Sequence, residues 1–328
     1  MKKRWVTAVG LLAGVGLVAG CGGSGDKDEL SLVAYSTPQE AYKQIIKDFQ
    51  ATDGGKDVEF TESYGGSGDQ SRAVEGGLAA DVVEFSLEPD MNRLVEADIV
   101  DENWNAGPEK GMITDSVVVW VVRKDNPLGI DSWDDLTQDG VEVVTPNPFT
   151  SGGARWNVMA AYGAQIEQGK SEDEAKQYLA DLFENVVVQD DSARKSLQTF
   201  TGGKGDVLLA YENEAIFAQQ QGEDIDYIVP DDTILIENPV AVTSTSEKPE
   251  KAQAFLDYLR TEKAQAAFVE NGYRPTREGV PGADEFPTPS GLFDISEFGG
   301  WSDVSKDFFD PDGSIMADIE QGIGVSLG

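Results

Sequence analysis

An α/β fold with parallel strands, organised as two domains, is what the residues predict, and three observations carry the prediction. From Leu30 onward short apolar runs alternate with amphipathic segments, the pattern of strand–helix–strand units. The turns that follow the apolar runs are rich in Gly, Ser, Thr and Asn, as in Tyr64-Gly65-Gly66-Ser67-Gly68. The chain has 328 residues of 40% hydrophobic composition, enough length for two cores.

The elements follow in order. Lys2, Lys3 and Arg4 make a basic start, and an apolar run extends from Trp5 to Val18. A helix needs about 20 residues to span a bilayer, so this run reads as a signal peptide, residues 1–20. It ends in Val18-Ala19-Gly20-Cys21, which looks like a bacterial lipobox. Cys21 is then the lipidation site and the mature N-terminus. As the only cysteine it excludes a disulfide within the chain. Residues 21–29, with Gly22, Gly23 and Gly25, read as a flexible tether. The protein is expected outside the cytoplasm, held to the cell membrane by that lipid.

Leu30 to Tyr35 reads as a strand. Ser36 or Thr37 is expected to cap the next helix, with Pro38 in its first turn. Tyr42, Ile45, Ile46 and Phe49 then fall on one helical face. Further strands are predicted at Val58 to Tyr64, Asp81 to Phe85, Ser116 to Val122, Val141 to Thr145, Asp206 to Tyr211 and Ile234 to Val242. Two more helix faces are marked by Ala175, Tyr178, Leu179, Leu182 and Phe183, and by Ala252, Phe255, Leu256 and Leu259.

Charge and composition narrow the function. Asp and Glu number 60 against 25 Lys and Arg, a formal net charge of −35. Neutralising nucleic-acid phosphates requires a basic surface, so nucleic acid is excluded as a partner, and the acidic balance reads as a hydrated surface. The chain has no His, which removes Ser-His-Asp triads, Cys-His dyads and His-ligated metals. Ser67 sits in Gly66-Ser67-Gly68, which is not a nucleophile elbow, and no Gly-rich turn ends in Gly-Lys-Ser/Thr. No catalytic residue, cofactor or metal is expected, although a secreted lipoprotein hydrolase stays open as the contrasting class.

The turns themselves point to anions. In open α/β sheets ligands bind beyond the carboxyl ends of the strands, at helix N-termini. The first N–H groups of a helix have no partner within it and sit at the positive end of its dipole. Candidate turns of this kind follow Tyr35, Tyr64, Thr145 and Val188.

At these residues the sequence resembles the bacterial sulfate/thiosulfate-binding proteins. The runs that carry the likeness are Tyr64-Gly65-Gly66-Ser67-Gly68, Ser151-Gly152-Gly153-Ala154-Arg155-Trp156-Asn157, and Gly205-Asp206-Val207-Leu208-Leu209-Ala210-Tyr211-Glu212-Asn213-Glu214-Ala215. Tyr273-Arg274-Pro275 and Phe298-Gly299-Gly300-Trp301 add to it, and the likeness spans about Leu30 to Ile319. The resemblance implies a two-lobed periplasmic-binding fold of the kind with two hinge crossovers. One lobe would take residues 30–115 plus 238–328, the other 116–237. It also implies a monomer that passes sulfate or thiosulfate to the permease subunits of an ABC importer. The anion would be dehydrated and held by neutral donors: Ser36, Ser67, Ser151, Gly152, Gly153, Ala193 and Tyr211. Hydrogen bonds to a charged group contribute about 1.5–3 kcal/mol each, so several converging donors can offset desolvation of a dianion.

Two positions depart from the family pattern. Ser36 stands where an Asp is usual. Tyr211 stands where a Trp is usual, and its hydroxyl can accept as well as donate. Sulfate carries no proton at neutral pH and suits a pocket of donors, with thiosulfate next and molybdate or phosphate behind. Hydrogen phosphate needs an acceptor, which Asp69, Asp190 or Asp191 would have to supply. Arg155 and Arg194 are expected to brace the binding turns by donating to carbonyls.

Overall fold

A computed structural model of the protein describes residues 28–325, so the signal sequence, Cys21 and most of the tether lie outside the described residues. In chain order the strands and helices run β1 (Asp28–Tyr35), α1 (Gln39–Gln50), β2 (Val58–Gly65), α2 (Ser67–Glu75), β3 (Val82–Glu84), α3 (Glu88–Glu96), β4 (Met112–Arg123) and β5 (Val143–Pro146). There follow α4 (Gly152–Glu167), α5 (Glu172–Glu184), β6 (Val186–Asp190), α6 (Ala193–Thr201), β7 (Val207–Tyr211), α7 (Glu212–Gln220), β8 (Ile225–Ile228) and β9 (Asp232–Val242). The chain ends with α8 (Pro249–Leu259), α9 (Glu262–Glu270), β10 (Arg274–Pro275), β11 (Gly291–Phe293), α10 (Gly300–Phe309) and α11 (Ile315–Gly322).

The strands pair in the order β2-β1-β3-β9-β4-β7-β5-β6. At one end β1 is parallel to β2 and β3; at the other β5 is parallel to β6 and β7. The long antiparallel strands β4 and β9 join the two ends. Val240, Ala241 and Val242 of β9 pair with β3, while Val118 to Val122 of β4 pair with β7. Between these stretches Asp115 faces Glu237 and Ser116 faces Ile236. The α/β class and the two-lobed arrangement are therefore those expected, and each predicted strand is present within a few residues of its expected bounds.

Each lobe has its own core, because each half-sheet buries apolar faces under helices. In the first, Leu30 and Leu32 of β1 meet Tyr42, Ile45 and Phe49 of α1 and Phe255 and Phe268 of α8 and α9. In the second, Val118 and Trp120 of β4 meet Trp156 and Tyr162 of α4 and Phe183 of α5. The C-terminal stretch, expected with the first lobe, packs into this second core. The Trp301 ring of α10 stands edge-on to Trp156 at 4.6 Å between centroids, and Phe308 meets Tyr162 at 4.8 Å. Two such aromatic pairs bury more apolar area than short elements could keep exposed.

The start of α1 differs from expectation. Neither Ser36 nor Thr37 caps it; Pro38 precedes the helix without a side-chain cap, and its carbonyl accepts from the Tyr42 N–H. Both hydroxyls have better partners across the fold. Ser36 Oγ accepts from the Arg194 N–H at 3.4 Å, and Thr37 Oγ1 shares a hydrogen bond with the Tyr273 hydroxyl at 2.8 Å.

Candidate functional site

Three helices begin just after the carboxyl ends of β2, β5 and β6, from opposite ends of the strand order, and bring their first turns together. Gly66 precedes α2, Ser151 precedes α4 and Ser192 precedes α6, and in none of these does the preceding residue cap the helix with its side chain. The leading N–H groups of each are thus left to another acceptor. Their proximity is visible in what a methyl group would meet. On Gly66 it would stand 2.7 Å from the Asp191 carbonyl oxygen and 2.9 Å from that of Thr150. On Gly153 it would lie 3.5 Å from Ala193 Cβ, Ser151 Oγ and the Tyr211 ring. On Gly152 it would lie 2.7 Å from Ser86 Oγ and Leu87 Cδ2. The two lobes are closed on one another here, since Gly66, Ser86 and Leu87 belong to the first lobe and the others to the second.

All seven residues singled out from the sequence fall in this cluster. Ser67 is the first residue of α2. Its hydroxyl donates to Asp90 Oδ2 at 2.6 Å and accepts from the Ser86 N–H at 2.9 Å, so the group it has left for a ligand is its N–H. Gly152 and Gly153 open α4, and Ser151 is buried just ahead of them. Ala193 opens α6, and Ser36 meets the next residue, Arg194. Tyr211 ends β7 with its ring buried, and its hydroxyl is 2.6 Å from Ser86 Oγ. Burial pushes that phenol well above its ordinary pKa, so it stays protonated.

Ser86 was not legible as a site residue. It follows β3 inside the apolar run Phe85-Ser86-Leu87, with no glycine to mark a turn. Yet it touches both lobes. Its carbonyl accepts from Trp156 Nε1 at 2.8 Å and from Asn238 Nδ2 at 2.9 Å.

The charged residues stand behind the cluster. Arg155 Nε donates to the Pro148 carbonyl at 2.9 Å, and Arg194 Nη2 donates to the Thr37 carbonyl at 3.0 Å. Both brace binding turns as expected. Arg194 also forms a buried ion pair with Glu214 at 2.7 Å, and burial pulls the Arg155 guanidinium below its ordinary pKa. Asp69 pairs with Arg72 at 2.6 Å, and Asp191 pairs with Lys195. Asp190 accepts from Thr199 through Oδ1 at 3.1 Å, while its Oδ2 is buried without a partner among the described residues. A groove of about 780 Å³ lies elsewhere, lined by Tyr162, Phe298, Phe308 and several carboxylates. It carries none of these donors, and a single small anion needs far less room.

Known proteins resemble this chain over most of its length. A sulfate-binding protein of Synechococcus elongatus is 44% identical, covering 92% of this chain and 89% of that protein. A thiosulfate-binding protein of Pseudomonas aeruginosa is 33% identical, covering 97% of this chain and 98% of that protein. Among solved structures, the sulfate-binding protein SubI of Mycobacterium tuberculosis superposes with a TM-score of 0.84 at 41% identity, over 86% of this chain and 100% of that one. The family model described as bacterial extracellular solute-binding protein matches residues 30–274, and the chain belongs to that family.

Proposed function

We propose that this protein captures sulfate outside the cytoplasm and delivers it to the permease of an ABC importer, without catalysing any reaction. The observation that carries the reading is the meeting of three uncapped helix N-termini, those of α2, α4 and α6, in one buried cluster of neutral donors. Such a site rewards a small, fully deprotonated anion, because each N–H donates and no nearby carboxylate is needed to take a proton. Ser36, Ser67, Ser151, Gly152, Gly153, Ala193 and Tyr211 form its wall. Sulfate-binding relatives of high coverage support the same ligand. Thiosulfate is the second reading, favoured by the likeness to a thiosulfate-binding protein.

The rest of the biology follows from the same reading. The lobes divide at the crossovers near residues 115 and 238, with the tail after Gly291 docked on the second. Cys21 carries the lipid that holds a monomer at the membrane; among the described residues no helix is long and apolar enough to cross one. Calorimetric titration of the mature protein with sulfate, thiosulfate, phosphate and molybdate tests the proposal. Sulfate should bind at micromolar concentration or tighter and be recovered unchanged. Heat from phosphate but none from sulfate would sink it.

A further inference from the structure

The run Tyr273-Arg274-Pro275 places a cation where the two lobes join. Arg274 lies in β10, beside Tyr273 of the first core, and β10 pairs antiparallel with β4. In that register Arg274 stands opposite Asp115, and Asp115 stands opposite Glu237 of β9 on its other side. Side chains directly opposite on paired strands share a face, with Cβ atoms about 5 Å apart. The row Arg274, Asp115, Glu237 therefore crosses the hinge, since β4 and β9 are the strands that join the lobes. The guanidinium is nonetheless committed outside the row. Arg274 Nε pairs with Glu212 Oε2 at 2.7 Å, and Nη2 donates to the Pro287 carbonyl at 2.8 Å. Glu212 opens α7 of the second lobe and has no exposed surface, so this ion pair spans the lobes. Among the described residues the Asp115 carboxyl is left with neither a hydrogen bond nor an ion pair, partly buried and opposite a like charge. Desolvation and Glu237 push it up to about 8, against the pull of Arg274. Burial pushes Glu237 up as well, with Lys110 opposing and Asp294 and Glu88 adding to it. Burial likewise raises Glu212, with Arg274 opposing.

We propose that Arg274 exchanges carboxylate partners as the lobes move, Asp115 in the open protein and Glu212 in the closed one, so that closing on sulfate takes up a proton at Asp115. This rests on the sulfate-binding reading above. Opening draws α7 away from β10 and releases Arg274 from Glu212. The acceptor in its own row is Asp115, which ionises once it is the partner of a cation. Closing returns Arg274 to Glu212, and Asp115, facing Glu237 with no cation of its own, takes a proton from solution. The closed form then holds more protons than the open one. The linkage has one sign: the proton's contribution to closure is complete where Asp115 is protonated in both forms, and is lost as pH rises through its closed-form value. Sulfate itself carries no proton in this range, so the change belongs to the protein.

The test is calorimetric titration of the mature protein with sulfate near neutral pH in two buffers of different ionisation enthalpy, which counts the protons taken up, repeated across the pH range. The wild type should take up about half to one proton per sulfate. Its affinity should fall with rising pH, by up to about tenfold per unit, and level off above about pH 8. Asp115→Asn keeps the shape of the side chain without its charge, so it should take up almost none and bind with an affinity nearly independent of pH. Glu237→Gln removes the opposing carboxylate and should at least halve the uptake; it carries the test if Asp115→Asn does not fold. No uptake by the wild type, or undiminished uptake in either variant, would overturn the exchange. A wild-type protein that binds no sulfate would instead overturn the function proposed above, before any variant is made.

Discussion

Glu84 ends β3 with no exposed surface, bonded by the Tyr42 hydroxyl, while its Oε1 is buried without a partner among the described residues. Burial pushes its carboxyl from 4.5 to about 8. The folded protein therefore holds a proton at neutral pH that the unfolded chain has released. The linkage has a definite sign: stability from this group is complete below about pH 4.5 and is lost as pH rises through about 8. At its steepest the loss is about 1.4 kcal/mol per pH unit. Asp115, pushed to about 8 by desolvation and by Glu237 across the β4–β9 pair, leans the same way. Glu84→Gln should flatten the decline of the urea midpoint between pH 5 and 8 relative to wild type. An equal slope in both proteins would mean that Glu84 is ionised in the native state.

At the scale of elements, function depends on how closely α4 approaches the first lobe. Its opening Gly152 lies against Ser86 and Leu87 with no space for a Cβ, whereas Gly153 has ordinary van der Waals clearance. Gly152→Ala should therefore hold the lobes apart. Overpacking of this kind costs about 1–3 kcal/mol, and charged to the closed state it should weaken sulfate binding by about tenfold or more. Gly153→Ala should leave closure intact, so small-angle scattering with saturating sulfate should report a compact form for it and an expanded one for Gly152→Ala. Compact scattering from both would refute the steric argument. The glycines of α4 were legible in the sequence because the Ser-Gly-Gly run is distinctive. So were β4 and β9, whose Val- and Ile-rich runs are long, and β1, whose run from Leu30 to Tyr35 is mostly apolar. The tail helices α10 and α11 were not predicted as elements. The partners of α10 are Trp156 and Tyr162 of α4, about 150 positions earlier; its own apolar spacing, Trp301, Val304 and Phe308, is helical but does not say which distant surface it covers. Ser86 was hidden because its partners are distant in sequence: Trp156, Tyr211 and Asn238, brought to it by α4, β7 and β9.

For the molecule as a whole the problem is charge. A chain of formal net charge −35 is proposed to capture a dianion, and removal of Lys2, Lys3 and Arg4 with the signal peptide would make it more negative still. At long range the ligand is repelled. Close in, the converging N–H groups prevail, because fixed dipoles act strongly over a few ångströms where water is excluded. The arginines around the cluster are committed to other partners. Arg194 is neutralised by Glu214 at 2.7 Å, and Arg155 is turned to the Pro148 carbonyl. Salt separates the two ranges. At about 0.15 M the Debye length is about 8 Å, so repulsion across the surface is screened while contacts inside the closed site are not. Sulfate association should accordingly accelerate as sodium chloride rises from a few millimolar to physiological strength, with dissociation nearly constant. Stopped-flow fluorescence can follow this through Trp156, whose indole N–H is bound to the Ser86 carbonyl between the lobes, with chloride competition measured in parallel. An association rate that falls steeply with salt would mean that a local positive funnel, not the dipoles of the closed site, draws the anion in.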